Sequence, residues 1–345
     1  IYGGRRIGKT SVIHAIQERL ESQGVTTVLY SFEGADVSDE GTANNLANYL
    51  DLGGFVKSVD DFNLNLQKKL DENPDLHIVL LLDEVDRYIV ANPDRHQIIE
   101  SMRRLSDQNG GRFRVVIAGF MEFFRCLRGG GPYSPSSDPW RRMMNDDGPL
   151  GNLRAENAEG IVREGFLNVL GWEFEHPMIP ERIVLRTGGH PAFVQYFCKK
   201  IQELVGKRNG RVVRLEDIEN VFADTHPTYS FIAHVRKTLE LNLGVIERFL
   251  IVWLASLSSE ATTFTLSEID EIFKSTGVEV PPIHLHRALE QLEVTSVVKA
   301  KAEGLFEFSV PDYPNILYRL GDTTHLDELE QKLKEHLVKI KNEET

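Results

Sequence analysis

The segment Gly3–Thr10 constrains the possible folds of this chain more than any other feature. It reads Gly-Gly-Arg-Arg-Ile-Gly-Lys-Thr and fits Gly-x-x-x-x-Gly-Lys-[Ser/Thr], between the apolar pair Ile1-Tyr2 and a helix-like run that begins at Ser11. Glycines let the backbone curl so that successive N–H groups point inward, and the start of a helix adds positive potential. The segment therefore predicts a phosphate-binding loop between a strand and a helix, which we call the phosphate loop.

The residue types within the phosphate loop predict a nucleotide and a metal ion as ligands. Lys9 is expected to reach the β- and γ-phosphates of ATP, and Thr10 to ligate Mg²⁺. The other positions expected to contact the nucleotide are Gly3, Gly4, Arg5, Arg6, Ile7, Gly8 and Ser11. A glycine turn that only caps an ordinary helix is the alternative interpretation.

A second motif, which is acidic, follows about seventy residues later. Ile78–Leu82 is an unbroken apolar run that predicts a strand buried on both faces, and it ends in Asp83-Glu84. Ligands of open α/β sheets bind at the carboxyl ends of the strands, so this acidic tip should lie beside the phosphate loop. Asp83 would hold Mg²⁺, and Glu84 would deprotonate the attacking water as the catalytic base. Glu84 and Lys9 are therefore the predicted catalytic residues. A solvated turn after a core strand is the alternative.

The strand predicted at Phe113–Gly119 bears on the rate of hydrolysis. Such a strand is expected between the strand before the phosphate loop and the acidic strand, with a polar residue at its tip that senses the γ-phosphate. The tip here reads Gly119-Phe120, without a hydroxyl or an amide, and Glu122 and Arg125 are the nearest polar candidates. This pattern favours slow hydrolysis, or a nucleotide-binding scaffold without turnover.

Three segments together resemble the STAND-type and archaeal-type ATPases, which are relatives of the AAA+ class. They are Arg5–Ser11, the Leu-Leu-Leu-Asp-Glu run that ends at Glu84, and Thr187–Phe193. The resemblance implies that Gly189, His190 and Pro191 form a Gly-x-Pro element in a helical lid near the adenine and the phosphates. It also implies a longer strand before the phosphate loop, so we expect the chain to be a portion of a longer protein.

Composition predicts a multidomain cytoplasmic protein. The 345 residues are 41% hydrophobic and 26% charged, which is ordinary for globular proteins. No apolar run approaches the roughly twenty residues of a membrane helix, so no membrane partner is expected. Cys126 and Cys198 are too few for a disulfide framework or a zinc site, and we expect them to be packing groups.

The positions of glycine and proline and the periodicity of apolar residues predict four regions along the chain. They are a P-loop ATPase core at 1–153, an all-α lid at 154–225, a winged-helix domain at 226–322 and a C-terminal helix at 323–345. The glycine-rich and proline-rich run 129–139 predicts a loop, after which Arg141 and Arg142 could face phosphate or simply solvent. Helices are also predicted at about 94–108 and at 156–170, and a helix at 192–204 would place Phe193, Phe197 and Ile201 on one core-facing stripe. An amphipathic helix in the tail is predicted by Leu326, Leu329, Leu333 and Leu337.

The predicted winged helix consists of helices at 246–257, 266–276 and 283–292 and strands at 294–301 and 305–310. Its charge argues against DNA binding. Residues 241–322 contain six Lys or Arg and twelve Asp or Glu, which gives a net charge of −6. The recognition helix predicted at 283–292 offers only Arg287, with His284 and His286, and a metal site on these two histidines is disfavoured. DNA is therefore a possible but disfavoured partner.

Taken together, the sequence predicts an α/β P-loop NTPase with a parallel sheet of the AAA-like type, followed by a helical lid and a winged helix. The predicted function is an ATP-dependent molecular switch that binds ATP or ADP with Mg²⁺ and hydrolyses ATP slowly. The resemblance implies signalling or defence through self-association or a partner protein. A DNA-associated initiator or transposition ATPase and a scaffold without turnover remain as alternatives.

Overall fold

The computed structural model describes residues 1–53, 56–128, 138–142, 148–224, 226, 228–257, 263–275, 277–302, 304–319 and 326–343. These residues divide into two compact units. Unit 1 contains Ile1–Gly3 and Gly8–Leu150, and unit 2 contains Gly4–Ile7 and Gly151–Thr345. Most of the loop predicted at 129–139 lies outside the described residues, as do the side chains of Arg141 and Arg142.

Unit 1 is an α/β unit in which helices follow parallel strands. Its helices are α1 (Lys9–Glu21), α2 (Asp39–Tyr49), α3 (Val59–Glu72), α4 (Asp86–Ala91), α5 (Gln97–Gln108), α6 (Met121–Leu127) and α7 (Pro139–Arg142). Its strands are β1 (Thr26–Ser31), β2 (Ile78–Asp83) and β3 (Phe113–Ile117).

The parallel sheet of unit 1 has the strand order β1-β2-β3, with Ser31 opposite Asp83. Tyr2 extends the sheet beyond β3 through a parallel bridge to Gly119. The predicted strand at 113–119 therefore does lie between the segment before the phosphate loop and the acidic strand β2. Because the strands are parallel, the phosphate loop, Asp83 and Gly119 lie at the same edge of the sheet.

The central strand β2 is buried on both faces, as its apolar sequence predicts. Leu80, Leu81 and Leu82 have no exposed surface. Ile13 of α1 is also fully buried, in a cluster with Leu81 and Ala118. Burial of a leucine side chain contributes about 1.5–3 kcal/mol, so this cluster fixes α1, which follows the phosphate loop, against the strands that carry the acidic tip.

Unit 2 is mainly helical. Its elements are α8 (Ala155–Arg163), a π-helical turn (Glu164–Val169), β4 (Glu173–Phe174), α9 (Ile179–Thr187), α10 (Pro191–Lys207), β5 (Val212–Val213), α11 (Leu215–Ala223), α12 (Phe231–Asn242), α13 (Val245–Leu257), β6 (Thr263–Thr265), α14 (Leu266–Ser275), α15 (Pro282–Val294), β7 (Val298–Ala302), β8 (Leu305–Phe308), α16 (Tyr313–Arg319) and α17 (Leu326–Glu343). Strands β4 and β5 pair in parallel, whereas β6, β8 and β7 form an antiparallel sheet in that order.

The core of unit 2 contains the aromatic stripe predicted for α10. Phe193, Phe197 and Ile201 have no exposed surface. Phe231 at the start of α12 packs edge-on against Phe197, with ring centroids 4.9 Å apart. In α17, Leu333 is fully buried in the same cluster, so the predicted amphipathic tail helix packs back on unit 2.

Several predicted bounds differ from the structure. Helix α5 begins at Gln97 instead of Asp94, because the backbone N–H groups of Gln97 and Ile98 donate to the Asp39 carboxylate on α2. The helix predicted at 156–170 changes to a π-helical turn at Glu164. The strand predicted from Val294 begins at Val298, because α15 continues to Val294 before a left-handed turn at Ser296 (φ 57°).

The structure bears on the predictions for membrane helices, metal sites and cysteines. In the described part of the chain, no helix has the length and apolar character needed to cross a membrane. Nor do the described residues contain a group of three or more His, Cys, Asp or Glu arranged for a metal, so His284 and His286 stand without such a cluster. Burial raises the pKa of both Cys126 and Cys198 to about 12, which fits packing groups.

Two histidines, the buried His190 and the half-buried His234, predict that acid destabilises unit 2. Burial, the largest cause, and nearby charge lower the pKa of His190 to about 3 and that of His234 to about 4. The unfolded chain therefore binds more protons below pH 6.5, so stability is complete above that pH and falls as pH drops toward the folded-state values. From pH 7 to pH 5 we expect His190 alone to reduce the free energy of unfolding by about 2 kcal/mol.

Urea unfolding at the two pH values tests this expectation. His190→Gln should shrink the difference between pH 7 and pH 5, whereas the matched change His14→Gln, at an exposed histidine of α1, should leave it unchanged. Equal midpoints at both pH values in the wild-type protein would contradict the assignment of neutral buried imidazoles.

Candidate functional site

The phosphate loop leads directly into α1. Gly8 is the residue before the helix and has a left-handed backbone (φ 100°), a conformation that favours glycine. Lys9 is the first helical residue and is only 8% exposed. Its Nζ donates to the carbonyl of Gly3 at 3.0 Å. The lysine side chain therefore folds back on the first residue of the phosphate loop.

The acidic tip of β2 contacts the phosphate loop directly. Thr10 Oγ1 donates to Asp83 Oδ2 at 2.7 Å, although the two residues are 73 positions apart in the chain. The other carboxylate oxygen of Asp83 accepts the backbone N–H of Glu84 at 2.9 Å, and Asp83 is 5% exposed. A hydroxyl and a carboxylate are hard oxygen ligands of the kind that Mg²⁺ prefers. This pair fits the metal site that the sequence predicts.

Glu84 occupies the position immediately after β2 in a left-handed conformation (φ 58°). A non-glycine residue there costs roughly 1–2 kcal/mol, and such strained residues cluster at functional sites. The Glu84 side chain is exposed. It is thus accessible to a water molecule at the edge of the sheet where Thr10 and Asp83 meet.

The tip of the neighbouring strand has no room for a polar side chain at Gly119. A Cβ atom there would lie 2.5 Å from Phe123 Cβ and 2.8 Å from Val85 Cγ1. The next residue, Phe120, places its ring centroid 5.6 Å from Lys9 Nζ. Glu122 and Arg125, the nearest polar candidates in the sequence, form an ion pair with each other at 2.6 Å on α6. The packing of the tip therefore explains why its sequence carries glycine.

Asp86 is a site residue that sequence reasoning missed. Its carboxylate accepts the backbone N–H groups of Phe120 at 2.5 Å, Glu122 at 2.8 Å and Phe123 at 3.2 Å. It therefore fixes the start of α6 and the position of the Phe120 ring beside Lys9. The only local signal was a third acid shortly after Asp83-Glu84, and its partners lie more than thirty residues away.

The Gly-x-Pro element lies in unit 2, at the start of α10. Gly189 accepts the N–H of Leu153 at 3.0 Å, and a Cβ at Gly189 would lie 2.5 Å from the Leu153 carbonyl oxygen. His190 is 1% exposed and stacks on Phe193 with centroids 4.1 Å apart, and Pro191 is the first residue of the helix. These contacts give the element a packing role in unit 2. A role in nucleotide binding remains a prediction.

Asp83→Asn tests the metal assignment. The amide retains an oxygen that can accept from Thr10 but loses the negative charge that attracts a divalent cation. We expect ATP affinity in EDTA to change little, whereas the gain in affinity on adding Mg²⁺ should fall by at least about tenfold, in line with the 1.5–3 kcal/mol of an interaction with a charged group. Titration of ATP with and without Mg²⁺ measures both quantities.

The matched control for this experiment is Asp107→Asn, which removes a charge from an exposed carboxylate on α5. It should retain the wild-type dependence on Mg²⁺. An Asp83→Asn protein with the full Mg²⁺ effect would show that this carboxylate does not hold the metal.

Comparisons with known proteins agree with this geometry. Residues 1–127 match the family model described as AAA domain. The ORC2 protein of Aeropyrum pernix, solved as ADPNP-ADP complexes, is similar in structure, with a TM-score of 0.59 at 13% identity over 96% of this chain and 86% of that one. A Walker-type ATPase of Pyrococcus abyssi gives a TM-score of 0.55 at 14% identity over 92% and 89%. No curated protein matches the sequence.

These similarities concern the fold, because the identities are low. The matched segment contains the phosphate loop, the acidic strand and the β3 tip. The chain has the α/β P-loop NTPase fold, with a parallel sheet and helical elements like those of these solved structures, and its residues 1–127 match the AAA domain model.

Proposed function

We propose that this protein binds ATP with Mg²⁺ and hydrolyses ATP slowly. The hydrogen bond between Thr10 and Asp83 is the observation that carries the proposal, because it joins the end of the phosphate loop to the acidic tip of β2. An ordinary helix-capping turn has no need of a buried carboxylate from a strand 73 residues away. The AAA domain match over the same residues supports the proposal.

Each residue of the site has a defined task in this proposal. Lys9 neutralises the β- and γ-phosphates. To do so, its ammonium group releases the Gly3 carbonyl and donates to phosphate oxygens instead. Thr10 and Asp83 hold Mg²⁺, which neutralises charge on the phosphates when bound. Glu84 orients the attacking water and accepts its proton. Phosphoryl transfer depends mainly on such positioning and charge stabilisation.

We expect ATP hydrolysis to be slow because the residues that follow β3, Gly119 and Phe120, offer no polar side chain. Gly119 cannot carry a side chain without displacing Phe123 or Val85, and Phe120 offers an aromatic ring where a hydroxyl or an amide would donate or accept a hydrogen bond. A missing hydrogen bond of this kind costs on the order of 10²–10³ in rate when it stabilises developing charge. The protein therefore suits a role as a timed switch better than a role as a motor.

Release of inorganic phosphate measures this activity. Purified protein with ATP and Mg²⁺ should release phosphate slowly and steadily, and EDTA should stop the release. Tight ATP binding without any release above background would favour a scaffold without turnover. The absence of both binding and release would contradict the proposed function.

We further propose that unit 2 provides the lid and the winged helix of a STAND-like switch. Residues 154–225 would form the lid and 226–322 the winged helix, because α13, α14 and α15 precede the strand pair β7-β8. Residues 323–345 would add the C-terminal helix. In this proposal nucleotide exchange controls self-association or the binding of a partner protein in the cytoplasm. Size measurements with ADP and with a non-hydrolysable ATP analogue test it.

The charge of the β7-β8 hairpin argues against the alternative of a DNA-bound initiator. Lys299 and Lys301 both pair with the Glu307 carboxylate, at 2.9 and 3.3 Å. These two lysines lower the pKa of Glu307, so the carboxylate is charged and competes with DNA phosphate for both ammonium groups. The hairpin therefore has little unpaired positive charge for phosphates to attract.

We expect the protein to bind duplex DNA no more tightly than about 10⁻⁴ M at physiological salt, the weak end of non-specific binding. A fluorescence anisotropy titration with labelled duplex at several salt concentrations measures this affinity. Tighter binding that weakens steeply with salt and is lost in Lys299→Ala would instead support the DNA-associated alternative.

A further inference from the structure

Part of the phosphate loop contacts two helix ends within unit 2, the unit to which Gly4–Ile7 belong. The backbone N–H of Arg5 donates to Asn242 Oδ1 at 2.8 Å. The guanidinium of Arg6 donates through Nη1 to Thr238 Oγ1 at 3.2 Å. Thr238 and Asn242 are one turn apart on α12 and so lie on the same face of the helix. Two successive loop residues are thus held by two acceptors of one helix.

Both acceptors are fixed by their own contacts. Thr238 is 2% and Asn242 is 3% exposed. Asn242 Nδ2 donates to the Thr238 carbonyl at 2.9 Å, and Thr238 Oγ1 donates to the His234 carbonyl at 3.0 Å. Gln291 of α15 donates to the Asn242 carbonyl at 2.9 Å. The oxygens that receive Arg5 and Arg6 are therefore held in place by contacts within unit 2.

The backbone of the loop also approaches α15 closely. A Cβ atom on Gly4 would lie 2.9 Å from the carbonyl oxygen of Thr295 and 3.1 Å from its Cα. The clash would be with backbone, which cannot rotate away as a side chain can. Packing therefore requires glycine at this position, although the motif itself accepts any residue there. Arg6 adds a left-handed backbone (φ 67°), a strained conformation that surrounding contacts must stabilise.

We propose that Asn242 and Thr238 form a clamp that positions the phosphate loop, so that nucleotide affinity depends on α12. They are positioning residues that act through Arg5 and Arg6 and need not touch the nucleotide. The inference rests on the proposed function, because it concerns ATP binding by the same loop. Ordering the loop in advance removes an entropy cost from binding.

The clamp also supplies a route by which nucleotide and unit 2 influence one another. Coupling between two binding events is reciprocal, so a contact of α12 that raises ATP affinity must itself be strengthened when ATP is bound. Release of the clamp then lowers affinity, and loss of nucleotide weakens the clamp. This gives the proposed switch a physical connection that runs through the backbone of Gly4–Arg6.

Hydrogen exchange without nucleotide tests the clamp by itself. In Asn242→Leu, the amides of a peptide covering residues 1–9 should exchange at least about fivefold faster, because a hydrogen bond of roughly 1 kcal/mol that protects Arg5 is lost. Asn109→Leu is the matched control. Asn109 is also a buried asparagine at a helix end whose Nδ2 donates to the carbonyl four residues earlier, but it follows α5 and lies before β3, at the opposite end of the sheet strands.

Affinity for ATP with Mg²⁺ completes the test. We expect Asn242→Leu to weaken binding about tenfold, mainly through faster dissociation, and Asn109→Leu to stay within about twofold of the wild-type value. Asn242→Asp, which keeps an acceptor for the Arg5 N–H, should restore most of the affinity. Should Asn242→Leu not fold, Thr238→Val and Gly4→Ala disturb the same contacts from the other acceptor and from the loop.

The outcomes separate the two proposals. Unchanged loop exchange and unchanged ATP affinity in Asn242→Leu, with normal binding by the wild-type protein, would overturn the clamp and leave the proposed function standing. A wild-type protein that binds no ATP would overturn the proposed function and with it the effect of the clamp on affinity. Equal losses of ATP affinity in Asn242→Leu and Asn109→Leu would show that Asn242 contributes only to the general stability of the fold, and would overturn the clamp.

Discussion

Lys9→Ala should abolish measurable nucleotide binding. Lys9 is the only side chain of the Gly3–Thr10 motif that combines a charge with burial, and its Nζ lies against the Gly3 carbonyl inside the loop. In the proposed site, alanine removes the charge-assisted hydrogen bonds from Nζ to the β- and γ-phosphates. At up to about 3 kcal/mol for such a bond, affinity should fall by at least about a hundredfold. Equilibrium titration with a fluorescent ATP analogue measures the loss.

Lys68→Ala is the matched control for this loss. Lys68 is an exposed lysine on α3 of the same unit, paired only with Glu72 at 3.8 Å. Its removal lowers the net charge of the protein by the same amount and should leave the dissociation constant unchanged. Nucleotide binding by Lys9→Ala within about threefold of the wild-type value would show that the phosphates do not lie where the loop places them.

Glu84→Gln should keep ATP bound while turnover stops. The amide is nearly the same size as the carboxylate and leaves the hydrogen bond from the Glu84 N–H to the Asp83 carboxylate intact, but it cannot accept the proton of the attacking water. General-base catalysis contributes about 10²–10⁴ in rate, so phosphate release should fall by at least about a hundredfold. Single-turnover measurement with bound ATP separates this loss from any change in affinity.

Glu33→Gln is the matched control for Glu84→Gln. Glu33 follows β1, the strand that pairs with β2, and its exposed carboxylate forms an ion pair with Arg87 at 3.3 Å. Because it lies at the same end of the sheet without being assigned to catalysis, its loss should leave turnover near the wild-type rate. Wild-type turnover by Glu84→Gln would remove Glu84 from its role as base.

The parts of the site that the sequence could predict are those with local signals. The phosphate loop has its own glycine spacing, and the acidic tip follows an apolar run that only a buried strand explains. Parallel strands then bring Thr10 and Asp83 together, because the sheet topology aligns their ends. The aromatic stripe of α10 was predictable for the same reason, since a spacing of four residues marks one helix face.

The parts that escaped prediction depend on partners distant in sequence. Asp39 sets the start of α5 from another helix. Asp86 holds the backbone of a segment more than thirty residues later, and Asn242 contacts Arg5 across 237 residues. An asparagine at the end of a helix commonly caps that helix. The residues around Asn242 do not show whether it only caps α12 or also binds the phosphate loop. Only the folded chain identifies such residues.

The central claim is that one ATP molecule with Mg²⁺ binds where the phosphate loop meets the acidic tip of β2. Isothermal titration of the wild-type protein with ATP, first with Mg²⁺ and then with EDTA, tests it most directly. The account predicts saturable binding of one ATP per chain that is at least about tenfold tighter with Mg²⁺, since a hydroxyl and a carboxylate oxygen meet there. A folded protein that shows no saturable binding in either condition would contradict it.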